Sequence, residues 1–239
     1  MKYYAAASIL LPGISLFIWP ANRLILAIFA VWVVAAAAYW IKSEKKEHEE
    51  NIAGTIKAMQ NSAIRTLNHH RHDWMNDLQV LYGYIRLQKL DNTVRYVEKI
   101  STRMNAESAI SRLGEPSLIS FIQSFRTISS SLELQVEIKG EIHLDQMSVD
   151  AAKIAESLIH TINAYRFAVK PNYGHAAILK LELSTDDEAL YAAFYYEGEL
   201  INEQQWKQKI HQQLEGAPIQ PIDKEQTHTR MLLRAAMRA

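Results

Sequence analysis

The chain has 239 residues, 26 basic and 26 acidic, and 49% of its side chains are hydrophobic. Balanced charge at a pI of about 7.1 argues against a nucleic-acid protein held by a large basic surface. Cysteine is absent, which excludes disulfides, cysteine-ligated zinc and thiol nucleophiles and fits a catalytic part facing a reducing compartment. The charge is unevenly spread: residues 1–43 carry only Lys2, Arg23 and Lys42, which leaves the remainder at a net −3.

Tyr3 to Pro20 and Leu24 to Ile41 are two apolar runs of 18 residues, separated by Ala21-Asn22-Arg23. Each is long enough, at the short end of the range, to cross a bilayer core as a helix. A cleaved signal peptide is the alternative for the first run, yet a mature chain starting at the second would still be anchored. Trp19, Tyr39 and Trp40 sit near the span ends, where aromatic rings favour the interface, and Trp32 does not. Lys2, Lys42, Lys45 and Lys46 lie on one side against Arg23 on the other. The basic excess predicts a two-span hairpin with both termini, and so the functional domains, in the cytoplasm.

From Leu24 to Lys89 there is no proline, and the only glycines are Gly54 and Gly83. One helix is therefore expected to leave the apolar run, and residues 44–89 alone would span about 70 Å. Ile64, Leu67, Trp74, Leu78, Leu81 and Ile85 recur at alternating steps of three and four, with Arg71 as the polar entry, which is the seam of packed helices. A second helix is expected from about Asp91 to Leu113, capped by Asp91 or Asn92. Its seam of Val94, Val97, Ser101, Met104, Ser108 and Ser111 is thinner. Two helices enclose a core poorly, whereas two copies make a four-helix bundle, so a homodimer is expected.

His72 falls one position after Arg71, on the bundle flank. Asn68, His69, Asn76 and Gln79 share its face, and all are polar. An imidazole on such a strip is accessible to another protein. A metal site from His69, His72 and Asp73 is conceivable, but no H-E-x-x-H pattern accompanies it. A solvated strip without function is the plain alternative on spacing alone.

The run Asn68-His69-His70-Arg71-His72-Asp73-Trp74-Met75-Asn76-Asp77-Leu78-Gln79, continuing through Gly83 to Asp91, strongly resembles the phospho-accepting helix of the sporulation initiation phosphotransferase B family. The same H-D-aromatic-x-N-x-L core and following glycine occur in sensor histidine kinases of the citrate and dicarboxylate type. The resemblance is specific across residues 68–91 and looser to about residue 236. It implies that His72 is phosphorylated and that Asp73 and Asn76 orient or polarise its ring. Arg71 either attracts the phosphoryl group or solvates the seam edge.

Gly114-Glu115-Pro116 breaks the hairpin, and Pro116 suits the first turn of a helix to about Ser130. Leu132 to Ile142 alternates as a strand. A helix is expected over Val149–Val169, strands over Ala176–Ser184 and Ala189–Glu197 with Asp186-Asp187 in the turn, and a helix over Glu203–Leu214. Thr227–Met237 reads as a final strand, although its alanines and arginines also suit a helix. This order indicates α+β architecture: a helical hairpin followed by a two-layer α/β sandwich resembling the ATP-binding domain of histidine kinases. The expected domains are 1–43, two transmembrane helices; 44–114, the hairpin carrying His72; and 115–239, the sandwich.

The kinase comparison implies an asparagine box for magnesium and two glycine-rich boxes. The nearest stretch, Ile159 to Phe167, keeps Asn163 and Ala164 but has Ile159 at the earlier asparagine position. The D-x-G-x-G box is reduced to Tyr196-Glu197-Gly198-Glu199. After residue 140 the glycines are Gly174, Gly198 and Gly216, too scattered for such a loop. Asn163 is then expected to bond at a helix end rather than hold magnesium, and the nucleotide site to be lost. The resemblance implies a phosphorelay phosphotransferase, without a cofactor or metal of its own, whose response-regulator receivers bring magnesium. A membrane sensor kinase with a divergent ATP site, or a non-enzymatic scaffold that docks receivers, are the rival readings.

Overall fold

The computed structural model describes residues 23–171, 176–222 and 227–237, with side chains from residue 27 onward. It divides into two compact units, Met1–Ser62 and Ala63–Ala239.

In the first unit the described residues form the beginning of helix α1 (Arg23–Arg86). With no proline to remove a backbone donor, the i→i−4 ladder runs on unbroken. Within Ala27–Arg86 one stretch is long and apolar enough to cross a membrane, with a mean hydropathy of 1.3. Ile28, Val31, Val34 and Ile41 on it are exposed, with no cover from the other described residues. Beyond it the surface turns charged, with Lys45–Glu49 and Lys46–Glu50 pairs one turn apart. The other expected span, Tyr3 to Pro20, lies outside the described residues, and with it the hairpin.

In the second unit α1 is followed by α2 (Leu90–Ser111). The turn between them is tight: Leu87 N–H donates to Gly83 O and Lys89 N–H to Tyr84 O, and Gln88 is forced to φ 56°. Neither Asp91 nor Asn92 caps α2. Lys89 occupies the cap position without a side-chain bond, because an ammonium has no acceptor to offer, and its carbonyl accepts from Asn92 and Thr93 N–H. Asp91 lies instead in the first turn, where its charge meets the positive end of the helix dipole.

Leu113 and Gly114 then carry the chain into the sandwich. Gly114 has φ +79°, and a Cβ there would fall 1.8 Å from Asp145 Oδ1, so no other residue fits this corner. Helix α3 (Pro116–Ile128) starts with proline in its first turn and with Glu115 accepting from Ser117 N–H. Strand β1 (Leu132–Ile138) stops four residues earlier than expected, close before Gly140 at φ +80°. A short 3-10 turn, Leu144–Gln146, was not apparent from periodicity. Helix α4 (Ala151–Ala168) is capped by the Asp150 carboxylate on Lys153 N–H. Then come β2 (Ala177–Thr185), β3 (Ala189–Glu197), α5 (Glu203–Leu214), the two-residue β4 (Gln220–Pro221) and β5 (Arg230–Ala236).

The sheet order is β1-β2-β3-β5-β4. β1 pairs parallel to β2 across the α4 crossover, and the remaining pairs are antiparallel. One sheet face is buried, with Leu179, Leu181, Leu183, Phe194, Met231 and Leu233 packed in one core with Phe125, Leu158, Tyr165 and Trp206 from the three helices. The segment read as strand or helix resolves as strand. Met231, Leu233 and Ala235 are buried and alternate with Arg230, Leu232 and Arg234, the period of two that a one-sided sheet demands.

Candidate functional site

The apolar seam of the hairpin faces outward in the single chain. Ile64, Leu67, Trp74, Leu78 and Ile85 of α1, and Val94, Val97 and Met104 of α2, are all exposed. Leu81 is half-buried. What holds α1 to α2 is polar at its centre. Asp77 accepts from Tyr96 Oη at 2.9 Å and from the Arg103 guanidinium. Tyr84 meets Tyr96 edge to face. Burial works to raise the Asp77 carboxyl, but the hydrogen bonds from Arg103 and Tyr96 outweigh it and hold it below the ordinary carboxylate value.

His72 lies on the exposed flank. Asn76, one turn on, brings its amide nitrogen to 3.2 Å from His72 Nδ1. An amide can turn either end to a ring nitrogen. With its oxygen on a protonated Nδ1, the ring is fixed and Nε2 keeps its lone pair. No hydrogen bond or ion pair to Nε2 is formed among the described residues. Of the two residues that the resemblance assigns to orienting the ring, Asn76 therefore touches it.

Asp73 is engaged elsewhere. Consecutive helix residues diverge around the axis, and the Asp73 carboxylate accepts from Arg126 Nη1 of α3 at 2.9 Å. His69 Nε2 stands 3.8 Å from the same oxygen, too far for a hydrogen bond, and is buried with none. Arg71 is exposed and forms no ion pair among the described residues. Sequence reasoning missed Asp77, Tyr96, Arg103 and Arg126. The available signal was Asp73 and Asp77 themselves, two carboxylates four residues apart that call for cations. Nothing local named Arg126, 53 residues away.

Around the expected nucleotide site, Ile159 packs against the core. Asn163 lies inside α4, and its Oδ1 is buried without a partner, so the helix-end bond expected of this atom is not made. Gly198 serves its neighbours: a Cβ there would sit 2.6 Å from Ala177 Cβ and 2.8 Å from Tyr196 Oη. The segment after it is tied to the end of α4, with Lys170 N–H on Glu199 O and Ile201 N–H on Ala168 O. Tyr196 Oη donates to Glu199 O, and burial, then the nearby Glu199 charge, pushes that hydroxyl up to about 12. Tyr165 fills the space behind, against Tyr196 and Trp206. Among the described residues this region offers one unpartnered amide oxygen and a loop bonded back to the end of α4. No cluster of three or more histidine, aspartate or glutamate side chains suited to a metal occurs among the described residues.

Residues 55–113 match the sensor kinase SpoOB-type alpha-helical domain. A relative, sporulation initiation phosphotransferase B of Bacillus subtilis (strain 168), is 36% identical over 121 residues, which are 50% of this chain and 62% of the relative. The chain thus spans somewhat less than two thirds of that curated relative. Among solved structures, the Acinetobacter baumannii histidine kinase AdeS overlaps 70% of this chain and 98% of its own at 14% identity and a TM-score of 0.34. A histidine kinase from Burkholderia phymatum STM815 overlaps 68% of this chain and 86% of its own at 11% identity and a TM-score of 0.33. Over the hairpin, the sequence similarity is to a helical domain of the sensor-kinase class. Within that similarity the match is to the SpoOB type, and the relative in hand is sporulation initiation phosphotransferase B.

Proposed function

We propose that this chain is a membrane-tethered, dimeric phosphotransferase of a phosphorelay, acting in a pathway like sporulation initiation. His72 Nε2 attacks the phosphorus of an aspartyl phosphate on one response-regulator receiver. The P–O bond to the acyl oxygen breaks, the N–P bond forms, and the carboxylate leaves with the electron pair. A second receiver's aspartate reverses the step and takes the phosphoryl group on. Such transfer needs an in-line nucleophile and neutralised oxygens. The receiver is expected to bring magnesium and its acidic pocket, so this chain supplies a positioned imidazole without a cofactor of its own.

The observation that carries the reading is the exposed His72 ring held at Nδ1 by Asn76, on a helix of SpoOB type. A rigid helix places a reacting atom better than a loop does. The outward apolar seam of both hairpin helices supports pairing with a second copy into a four-helix bundle. The apolar stretch of α1 supports a membrane anchor, with the second span of the hairpin supplied by Tyr3 to Pro20. The pinned loop at Gly198 supports a sandwich that does not use ATP. Mixing the protein with receivers charged on aspartate, and looking for acid-labile phosphate on His72, tests the reading. A chain that labels itself from ATP instead would be the sensor kinase.

A further inference from the structure

Deepening that reading of His72, and resting on it, we propose that Arg126 neutralises Asp73 so that the surroundings of His72 admit a phosphoryl dianion. Arg126 is a positioning residue in the electrostatic sense, acting through Asp73 rather than touching the phosphorus.

Two carboxylates stand on one strip of α1, Asp73 and Asp77, four residues apart. Asp77 is answered within the hairpin by Arg103 and Tyr96. Asp73 is not. Its single guanidinium contact among the described residues comes from α3, where Arg126 Nη1 reaches Oδ2 at 2.9 Å. Asp73 directly follows the nucleophile, and consecutive Cα atoms are about 3.8 Å apart. Even with the two side chains diverging, the carboxylate lies within about one screening length of the ring, about 10 Å at 0.1 M salt. Unpaired, it would repel both a phosphoryl group arriving at Nε2 and the acidic pocket of a receiver.

As a structural clip the pair contributes little, because the Arg126 side chain is 60% exposed and exposed ion pairs are weak. A clip and a charge compensator respond differently to substitution. Breaking a clip from either side gives the same result. Removing charge gives a ladder: relative to the intact pair, Arg126→Ala shifts the charge near His72 by −1, Asp73→Asn shifts it by +1, and the double variant returns it to the starting value.

The test uses the full chain in detergent, with phosphoramidate as a small donor. Its P–N bond breaks, ammonia leaves with a proton, and the N–P bond forms on the imidazole. Phosphate on the His72 peptide is followed by mass spectrometry at neutral pH. Arg126→Ala is expected to label about fivefold more slowly than wild type at low salt, and Asp73→Asn about fivefold faster. The double variant returns near the wild-type rate, Arg126→Lys stays close to it, and all differences collapse by about 0.5 M salt. Equal slowing by Arg126→Ala and Asp73→Asn makes the pair a clip and overturns the proposal. A double variant as slow as Arg126→Ala means that Arg126 grips the phosphoryl group itself, which also overturns it. Wild-type labelling from charged receivers with an unaltered Arg126→Ala rate sinks this inference alone. Absent transfer from receivers to wild-type protein sinks the reading beneath it.

Discussion

Asn76 and His72 are one helical turn apart, and the amide nitrogen lies 3.2 Å from the ring Nδ1. Turning the amide so that its oxygen accepts from a protonated Nδ1 leaves the lone pair on Nε2, the nitrogen proposed to react. Asn76→Ala should slow transfer from a charged receiver about tenfold, the worth of one positioned hydrogen bond near 1.4 kcal/mol. Single-turnover kinetics would show it; an unchanged rate would mean that the ring needs no partner.

His72→Ala should abolish acceptance altogether. Stability should change by less than about 0.5 kcal/mol, because alanine favours the helix and an exposed ring makes few contacts. His69→Ala should leave transfer largely intact, since its Nε2 is buried and faces Asp73. A folded His72→Ala protein that accepts phosphate at the wild-type rate would refute the assignment.

The Asp77 carboxyl is held below its ordinary value by Arg103 and Tyr96 against the cost of burial. A carboxylate with a depressed folded pKa gives stability that is present above the unfolded value and lost as pH falls through the folded one. Unfolding midpoints should therefore drop as pH is lowered below about 4. Asp77→Asn should be less stable at pH 7 and show a flatter acid limb. Parallel limbs in urea titrations would remove Asp77 from the account.

Gln88 sits at φ 56° in the hairpin turn, where a Cβ is strained by about 1 kcal/mol. Gln88→Gly relieves that strain but loosens the unfolded chain. The net expectation is a gain of about 0.5 kcal/mol in thermal unfolding, and a loss would show that the side chain itself supports the turn.

Magnesium-ATP should bind more weakly than about 1 mM, roughly 4 kcal/mol. Ile159 offers no ligand, and the backbone after Gly198 is already bonded to α4. Calorimetry giving tighter binding would bring the sensor-kinase reading forward.

Much of the fold was legible because local signals agreed with tertiary packing. The ends of β3 and α5 fall where the turn at Asp186 and the cap at Asn202 put them. Asp186 Oδ1 accepts from the N–H groups of Glu188 and Ala189, and Asn202 Oδ1 from Gln205 N–H. The cap of α2 was misplaced because the α1 turn, not a side chain, satisfies its first donors. At the site, the exposed strip that brings Asn76 to His72 was readable from helical spacing. The contact of Asp73 was not, because its partner Arg126 comes from another helix and only folding brings them together.

Trp74 is 58% exposed on the hairpin seam, whereas Trp206 is 2% exposed in the sandwich core. The other three tryptophans, Trp19, Trp32 and Trp40, all precede residue 44. A protein lacking residues 1–43 therefore carries two indoles in opposite surroundings. Trp206 emits as a buried ring from a folded sandwich, whatever the chain's partners. Trp74 emits red when its seam meets water and blue when another helix covers it. Fluorescence from native side chains thus separates assembly from folding, without any label.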